Sequence, residues 1–169
     1  GMETYHSIRD RQWFSSLPRL SSVCPGDYEF LQTVAKHIKK AQKPTFFHIK
    51  TVSSHGPWNG LESHPEVIRM IGHPFPTSGN VLDGYAAILR YLDTSIKAFV
   101  SELNQLLDEE QLLLVIFGDH GAGLPIPTSV VESLSLKGVR EKCVPLLFLG
   151  LGNNRFVAAP NLNNLPATV

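Results

Sequence analysis

Leu112-Leu113-Leu114-Val115-Ile116-Phe117-Gly118-Asp119-His120-Gly121 is the stretch on which the fold turns. Six apolar residues without alternation read as a strand buried on both faces. Such a strand delivers the adjacent carboxylate and imidazole to its carboxyl end, where α/β sheets place their chemistry. Asp and His are both ligands for divalent metals. A second stretch repeats the design: Thr45-Phe46-Phe47-His48-Ile49-Lys50-Thr51 reads as a strand and runs into Ser53-Ser54-His55-Gly56-Pro57-Trp58. Two strands, each ending in a polar His-Gly turn, predict one site at one edge of a sheet.

Working outward, Asp27 is placed to cap a helix whose apolar face is Phe30, Leu31, Val34 and Ile38, with Lys39 and Lys40 at the end where the dipole favours cations. Residues 56–79 form a long Gly-, Pro- and His-rich loop with a short helix at 63–71. Tyr85, Leu89, Leu92, Ile96, Phe99, Leu103 and Leu106 recur in steps of four and three, the mark of one long amphipathic helix over 80–107. A further helix is expected near 128–137, and Cys143 to Gly150 reads as a third buried strand. Alternating helices and strands predict an α/β fold: a mainly parallel sheet with helices on both faces, a three-layer α/β/α sandwich. Three strands make a thin sheet, and the apolar end Leu165-Pro166-Ala167-Thr168-Val169 reads as an element cut short. The expectation is an incomplete piece of a larger α/β domain, with residues 1–26 as an irregular N-terminal segment. A cut sheet exposes an edge, so a homodimer of the fragment is expected.

Hydrophobic residues make up 43% of the 169-residue chain and charged residues 18%, which excludes a disordered chain. Fifteen Lys and Arg balance fifteen Asp and Glu, so no net field favours nucleic acid or an anionic membrane. Cys24 and Cys143 can pair, but nothing in the pattern demands it. No apolar run approaches the ~20 residues of a membrane helix, so a soluble chain is expected. Gly1 ahead of Met2 reads as a tag remnant.

Each candidate residue has a plainer reading. Asp119 can cap the next helix while His120 packs beside it; alternatively both ligate a metal, which needs at least three ligands. His55 is either a turn residue or part of a site. Ser53 and Ser54 can donate hydrogen bonds to an anionic group, and Trp58 either walls a pocket or fills the core. His48, in mid-strand, reads as a packed core residue; His64 and His73 lie in the long loop; Asp93 reads as solvent-facing. The G-x-G-x-x-G, P-loop and G-x-S-x-G motifs are absent, and no Cys pair has zinc-finger spacing.

The ordered set of segments resembles the sulfatase branch of the alkaline phosphatase superfamily. Phe46 to Trp58 is similar to its "PFF…T…S-H-x-P" segment. The Tyr85 to Asp93 helix resembles the one before its metal strand. Leu114 to Gly121 resembles its "GDHG" motif, Val144-Pro145-Leu146 its "VPl" strand and Leu165 to Val169 its "PTl" helix start. Within the branch the pattern is most similar to membrane-anchored phosphoglycerol transferases of the lipoteichoic acid synthase type. Phosphoethanolamine-transferring relatives usually carry another His soon after the DHG motif, and residues 122–144 hold none.

The resemblance implies the C-terminal part of an alkaline-phosphatase-like domain over 27–169. It implies Asp119 and His120 as ligands of one divalent metal, Mn²⁺ or Zn²⁺, with Mg²⁺ or Ca²⁺ as alternatives. His55, with Ser54 and Trp58, is implied on the substrate, a phospholipid or glycan-linked phosphodiester. The parent protein is implied on the extracytoplasmic face of the bacterial inner membrane. The family's nucleophile, a Thr or Ser on a "G-x-x-TS" helix start, and its "ES" strand end match nothing in the chain, nor does the sulfatase signature C-x-P-x-R. The isolated chain is therefore expected to be inactive, its missing partner being the N-terminal half of the domain. Alternatives are a phosphoethanolamine transferase or sulfatase-type hydrolase fragment, a degenerate binding domain, and an unrelated flavodoxin-like module.

Overall fold

The computed structural model describes residue 20 and residues 26–73, 81–108, 112–121, 123 and 144–150. They fall into two compact units, residues 1–104 and 105–169. The expected helix at 128–137, both cysteines and the termini lie outside the described residues.

The first unit opens with α1, Asp27–Lys40, which buries Leu31, Ala35 and Ile38. Phe30 and Val34, expected on that face, are half-buried. Gly26, not Asp27, is the capping residue, and it has no side chain to satisfy the first amides. Those amides find partners from elsewhere in the unit. Asp27 N–H donates to Ser53 Oγ at 3.1 Å, and Tyr28 N–H donates to the Tyr91 hydroxyl at 3.1 Å.

A short 3-10 helix, Leu61–Ser63, leads into α2, Pro65–Ile71. His64 caps α2 by accepting from Glu66 N–H at 3.2 Å, with Pro65 at the first helical position. Arg69 ties α2 to the first turn of α1. Its guanidinium donates to both Glu66 oxygens and, at 2.7 Å, to Glu29, while lying over the Tyr28 ring.

The long helix α3 is Val81–Asp108. Tyr28 meets Tyr91 near the start of α1 and Lys39 meets Glu102 near its end, both at a separation of 63 residues. The equal offset means that α1 and α3 run parallel, side by side. The buried stripe of α3 departs from the expected one over its first half. Gly84, Ala87, Ile88, Tyr91 and Ser95 are buried there, before the two stripes merge at Phe99 and Leu103. Leu89 is exposed, and Leu92 and Ile96 are half-buried. The expected stripe misses this face because it sets Ile88 and Tyr91 among small residues, Gly84, Ala87 and Ser95, that allow close approach. Ser95 can be buried since its hydroxyl donates to the Tyr91 carbonyl at 2.8 Å.

The core joins Leu20, Val67, Ala87, Ile88 and Tyr91, with Tyr28, Trp58, Leu61, Met70, Ile71 and Tyr85 packed against it. Burial pushes the Tyr91 hydroxyl pKa upward, so it stays protonated and accepts from Tyr28. Tyr91→Phe leaves that helix-start amide without its acceptor; a loss of about 1–2 kcal/mol is expected in urea unfolding.

Residues 44–52 form no strand, contrary to expectation, and pair with none among the described residues. They run back from the end of α1 to its beginning, where Val52 and Ser53 meet Asp27. Burial still alternates as in a strand: Phe47 and Ile49 are half-buried, while Phe46, His48 and Lys50 are exposed. His48 is therefore not a core residue. Asp93 faces solvent as expected.

In the second unit β1, Leu114–Phe117, pairs with β2, Leu146–Leu149, in register Leu114↔Leu149 to Phe117↔Leu146. Gly118 N–H extends the ladder to the Pro145 carbonyl at 3.1 Å. The pairing is antiparallel, which corrects the parallel arrangement expected for these two strands. Apolar runs do not encode direction, and the connection from 118 to 145 is long enough for either sense. Nor is β1 buried on both faces: Leu114, Val115 and Ile116 are half-buried and Phe117 is exposed, whereas β2 buries Leu146 and Phe148.

Candidate functional site

The first candidate group is the turn that carries His55. His55 N–H closes it onto the Val52 carbonyl at 2.9 Å. At its base, both oxygens of Asp27 are engaged: Oδ1 accepts from Val52 N–H and Oδ2 from Ser53 N–H, each at 3.1 Å. Asp27 is only 2% exposed. Burial raises its carboxyl above the usual carboxylate range, and the bonds from Val52 and Ser53 partly offset that rise.

On the other side, Trp58 Nε1–H donates to the Ser54 carbonyl at 3.0 Å, and the indole meets the Tyr85 ring edge-on at 5.2 Å. Gly84 is the contact point of α3: a Cβ there would collide with the Trp58 carbonyl. The Gly56–Pro57 peptide is cis. His55 itself is exposed, and its Nδ1 lies 2.7 Å from the Gly56 carbonyl. A carbonyl only accepts, so Nδ1 carries the proton in this bond and Nε2 is directed away from it.

The second group repeats this arrangement in the other unit. Asp119 and His120 follow β1 on an exposed turn. Asp119 Oδ1 accepts from His120 N–H at 3.0 Å, and His120 Nδ1 lies 2.8 Å from the Gly121 carbonyl. The second bond fixes the tautomer that presents Nε2, the pattern by which metal-ligating histidines are oriented. His120 Nε2 stands 3.8 Å from Asp119 Oδ1. Two bonds of roughly 2.1 Å to one ion span at most about 4.2 Å, so this pair fits two ligand positions on one divalent metal. Among the described residues no group of three or more His, Cys, Asp or Glu forms a complete metal site. The separation alone leaves Asp119 and His120 as candidates for part of such a shell.

The expected site residues thus fall into two groups. Ser54, His55 and Trp58 share one turn of the first unit, and Asp119 and His120 share one turn of the second. Trp58 is packed against the core and its indole N–H is spent on Ser54, while Ser54 is half-buried. Sequence reasoning missed the role of Asp27. A carboxylate at a helix start reads as a cap, and only the fold brings Val52 and Ser53 to it.

A sulfatase family model matches residues 4–148. The chain belongs to the sulfatase family. Members of this α/β family are generally metal-dependent. The chain is 30% identical over 95 residues to lipoteichoic acid synthase of Staphylococcus saprophyticus, covering 56% of this chain and 14% of that protein. It is 29% identical over 94 residues to the lipoteichoic acid synthase-like protein YvgJ of Bacillus subtilis, with 56% and 14% covered. To lipoteichoic acid synthase of Staphylococcus aureus it is 25% identical over 130 residues, with 77% and 19% covered. This sulfatase-family chain therefore spans less than a fifth of the length of these relatives. No solved structure matches it. Among its described residues no helix is long and apolar enough to cross a membrane.

Proposed function

We propose that this chain is the C-terminal part of a sulfatase-family catalytic domain that transfers phosphoglycerol from a phospholipid to a cell-envelope glycan or lipid. The likeness to lipoteichoic acid synthases supports the reaction class. The observation that carries the site is the Asp119–His120 turn, with a carboxylate oxygen and an oriented imidazole nitrogen 3.8 Å apart. In this reading the two strands belong to one edge of a larger, mainly parallel sheet, as mixed sheets allow. The parent protein works at the extracytoplasmic face of the bacterial membrane.

Asp119 and His120 hold one divalent metal, with Mn²⁺ or Zn²⁺ the leading candidates. When bound, the metal stabilises negative charge on the phosphoryl oxygens and on the attacking oxygen. The nucleophile and the remaining ligands come from the rest of the domain, so this chain alone turns over nothing. His55 contacts the substrate phosphate. With Nδ1–H held by the Gly56 carbonyl, a proton taken up by the ring resides on Nε2, and that N–H meets a phosphate oxygen. Ser54 and Trp58 hold the shape of the turn from which His55 reaches.

The test is phosphatidylglycerol turnover by the full-length protein with Mn²⁺. A hydrogen bond to a charged group contributes roughly 1.5–3 kcal/mol, so His55→Ala is expected to lower kcat/KM about 10- to 100-fold. Wild-type turnover in that variant would remove His55 from the site.

A further inference from the structure

We infer that Asp27 is the positioning residue for His55: its two buried carboxylate oxygens fix the 52–55 turn from which the imidazole reaches substrate. This rests on the reading of His55 as a phosphate contact. Three observations carry it. First, the grip is two-handed. Val52 N–H and Ser53 N–H bind different oxygens of one carboxylate, each at 3.1 Å, which fixes the orientation of that backbone as well as its place. Second, the grip is returned. Asp27 N–H donates to Ser53 Oγ at 3.1 Å, so helix α1 and the turn hold one another across 26 residues of sequence. Third, the lever is short. His55 lies two residues beyond Ser53, and its ring is held locally by the Gly56 carbonyl. A shift of the turn base is therefore passed to Nε2 with little to absorb it.

A capping role alone does not require this arrangement. The α1 amides need acceptors, and Ser53 Oγ and the Tyr91 hydroxyl already supply two. The Asp27 carboxylate reaches past the helix to the turn instead, and does so while 2% exposed. Arg69, Glu29 and Glu66 form their own cluster on α1 and α2. Asp27 is thus committed to the His55 turn rather than to that ion-pair network.

The test is a double-variant cycle in the full-length protein, with phosphatidylglycerol vesicles and Mn²⁺, alongside amide hydrogen exchange. Asp27→Asn keeps size but sets an NH₂ group against one of the two amides. Small displacements of a binding group cost up to about 100-fold, so kcat/KM is expected to fall roughly 10- to 100-fold. His55→Ala is expected to fall comparably, and the double variant no further than His55→Ala. Exchange at Ser53 and His55 is expected to quicken at least about tenfold, with Leu31, Ala35 and Ile38 still protected, as local opening rather than unfolding demands. Should Asp27→Asn fold poorly, Ser53→Ala takes the Ser53 hydroxyl from Asp27 while leaving both backbone N–H bonds to the carboxylate. It is expected to show the same non-additivity with a several-fold loss. Two results overturn the proposal while leaving His55 in the site: unchanged exchange at His55 in Asp27→Asn, or a loss that multiplies in the His55→Ala background. Wild-type turnover in His55→Ala alone overturns the reading of the site itself.

Discussion

Asp119→Ala in the full-length protein is expected to lower metal-dependent phosphatidylglycerol turnover on the order of 10³-fold. A bound metal contributes several kcal/mol of charge stabilisation, and each ~1.4 kcal/mol is a factor of ten. The variant is expected to fold normally, because Asp119 and His120 sit on an exposed turn. His120→Ala is expected to follow it, and the two losses should not add, since either deletion opens the same ion's shell. His120→Gln keeps a polar side chain without the imidazole nitrogen and should rescue little. Measured kcat/KM with Mn²⁺, set against an unchanged thermal midpoint, checks this. Turnover near wild type in Asp119→Ala would place the metal elsewhere.

The second large effect is on the fold. Gly84→Ala is expected to destabilise the chain by about 3 kcal/mol, near the upper end for overpacking. The sign is informative. In an unconstrained helix the same change would stabilise by roughly 1 kcal/mol. Here an added Cβ falls on the Trp58 carbonyl, which also accepts from Leu61 N–H, and on Glu62 beyond it. Backbone cannot rotate aside as a side-chain end can, so α3 must back away from the His55 turn. A fall in thermal midpoint of roughly 6–12 °C is expected for a chain of this size. A rise would mean that α3 does not approach Trp58 so closely.

Much of this architecture is legible in the residues because its signals are local. The run from Leu112 to Gly121 does contain a strand followed by the Asp119–His120 turn. The 3.6-residue period sets the long helix to within a residue at each end. What escapes is non-local. Strand direction between β1 and β2 is a matter of pairing in the fold, since neither apolar run encodes it and the connection admits either sense. The buried face of α3 follows Gly84, Ala87 and Ser95, small residues whose value lies in what approaches them. His48 is exposed because residues 44–52 pair with no strand among the described residues. Asp27 looks like a cap until the chain returns Val52 and Ser53 to it. The local geometry of the two His-Gly turns is short-range as well. Each sets a ring nitrogen against the carbonyl of the following glycine, at 2.7 Å for His55 and 2.8 Å for His120.

The most direct test is a crystal of the full-length protein soaked in Mn²⁺ and examined for anomalous scattering. A peak bonded to both Asp119 and His120 is expected. A peak on other ligands, with Asp119 and His120 uninvolved, would overturn their assignment as metal ligands.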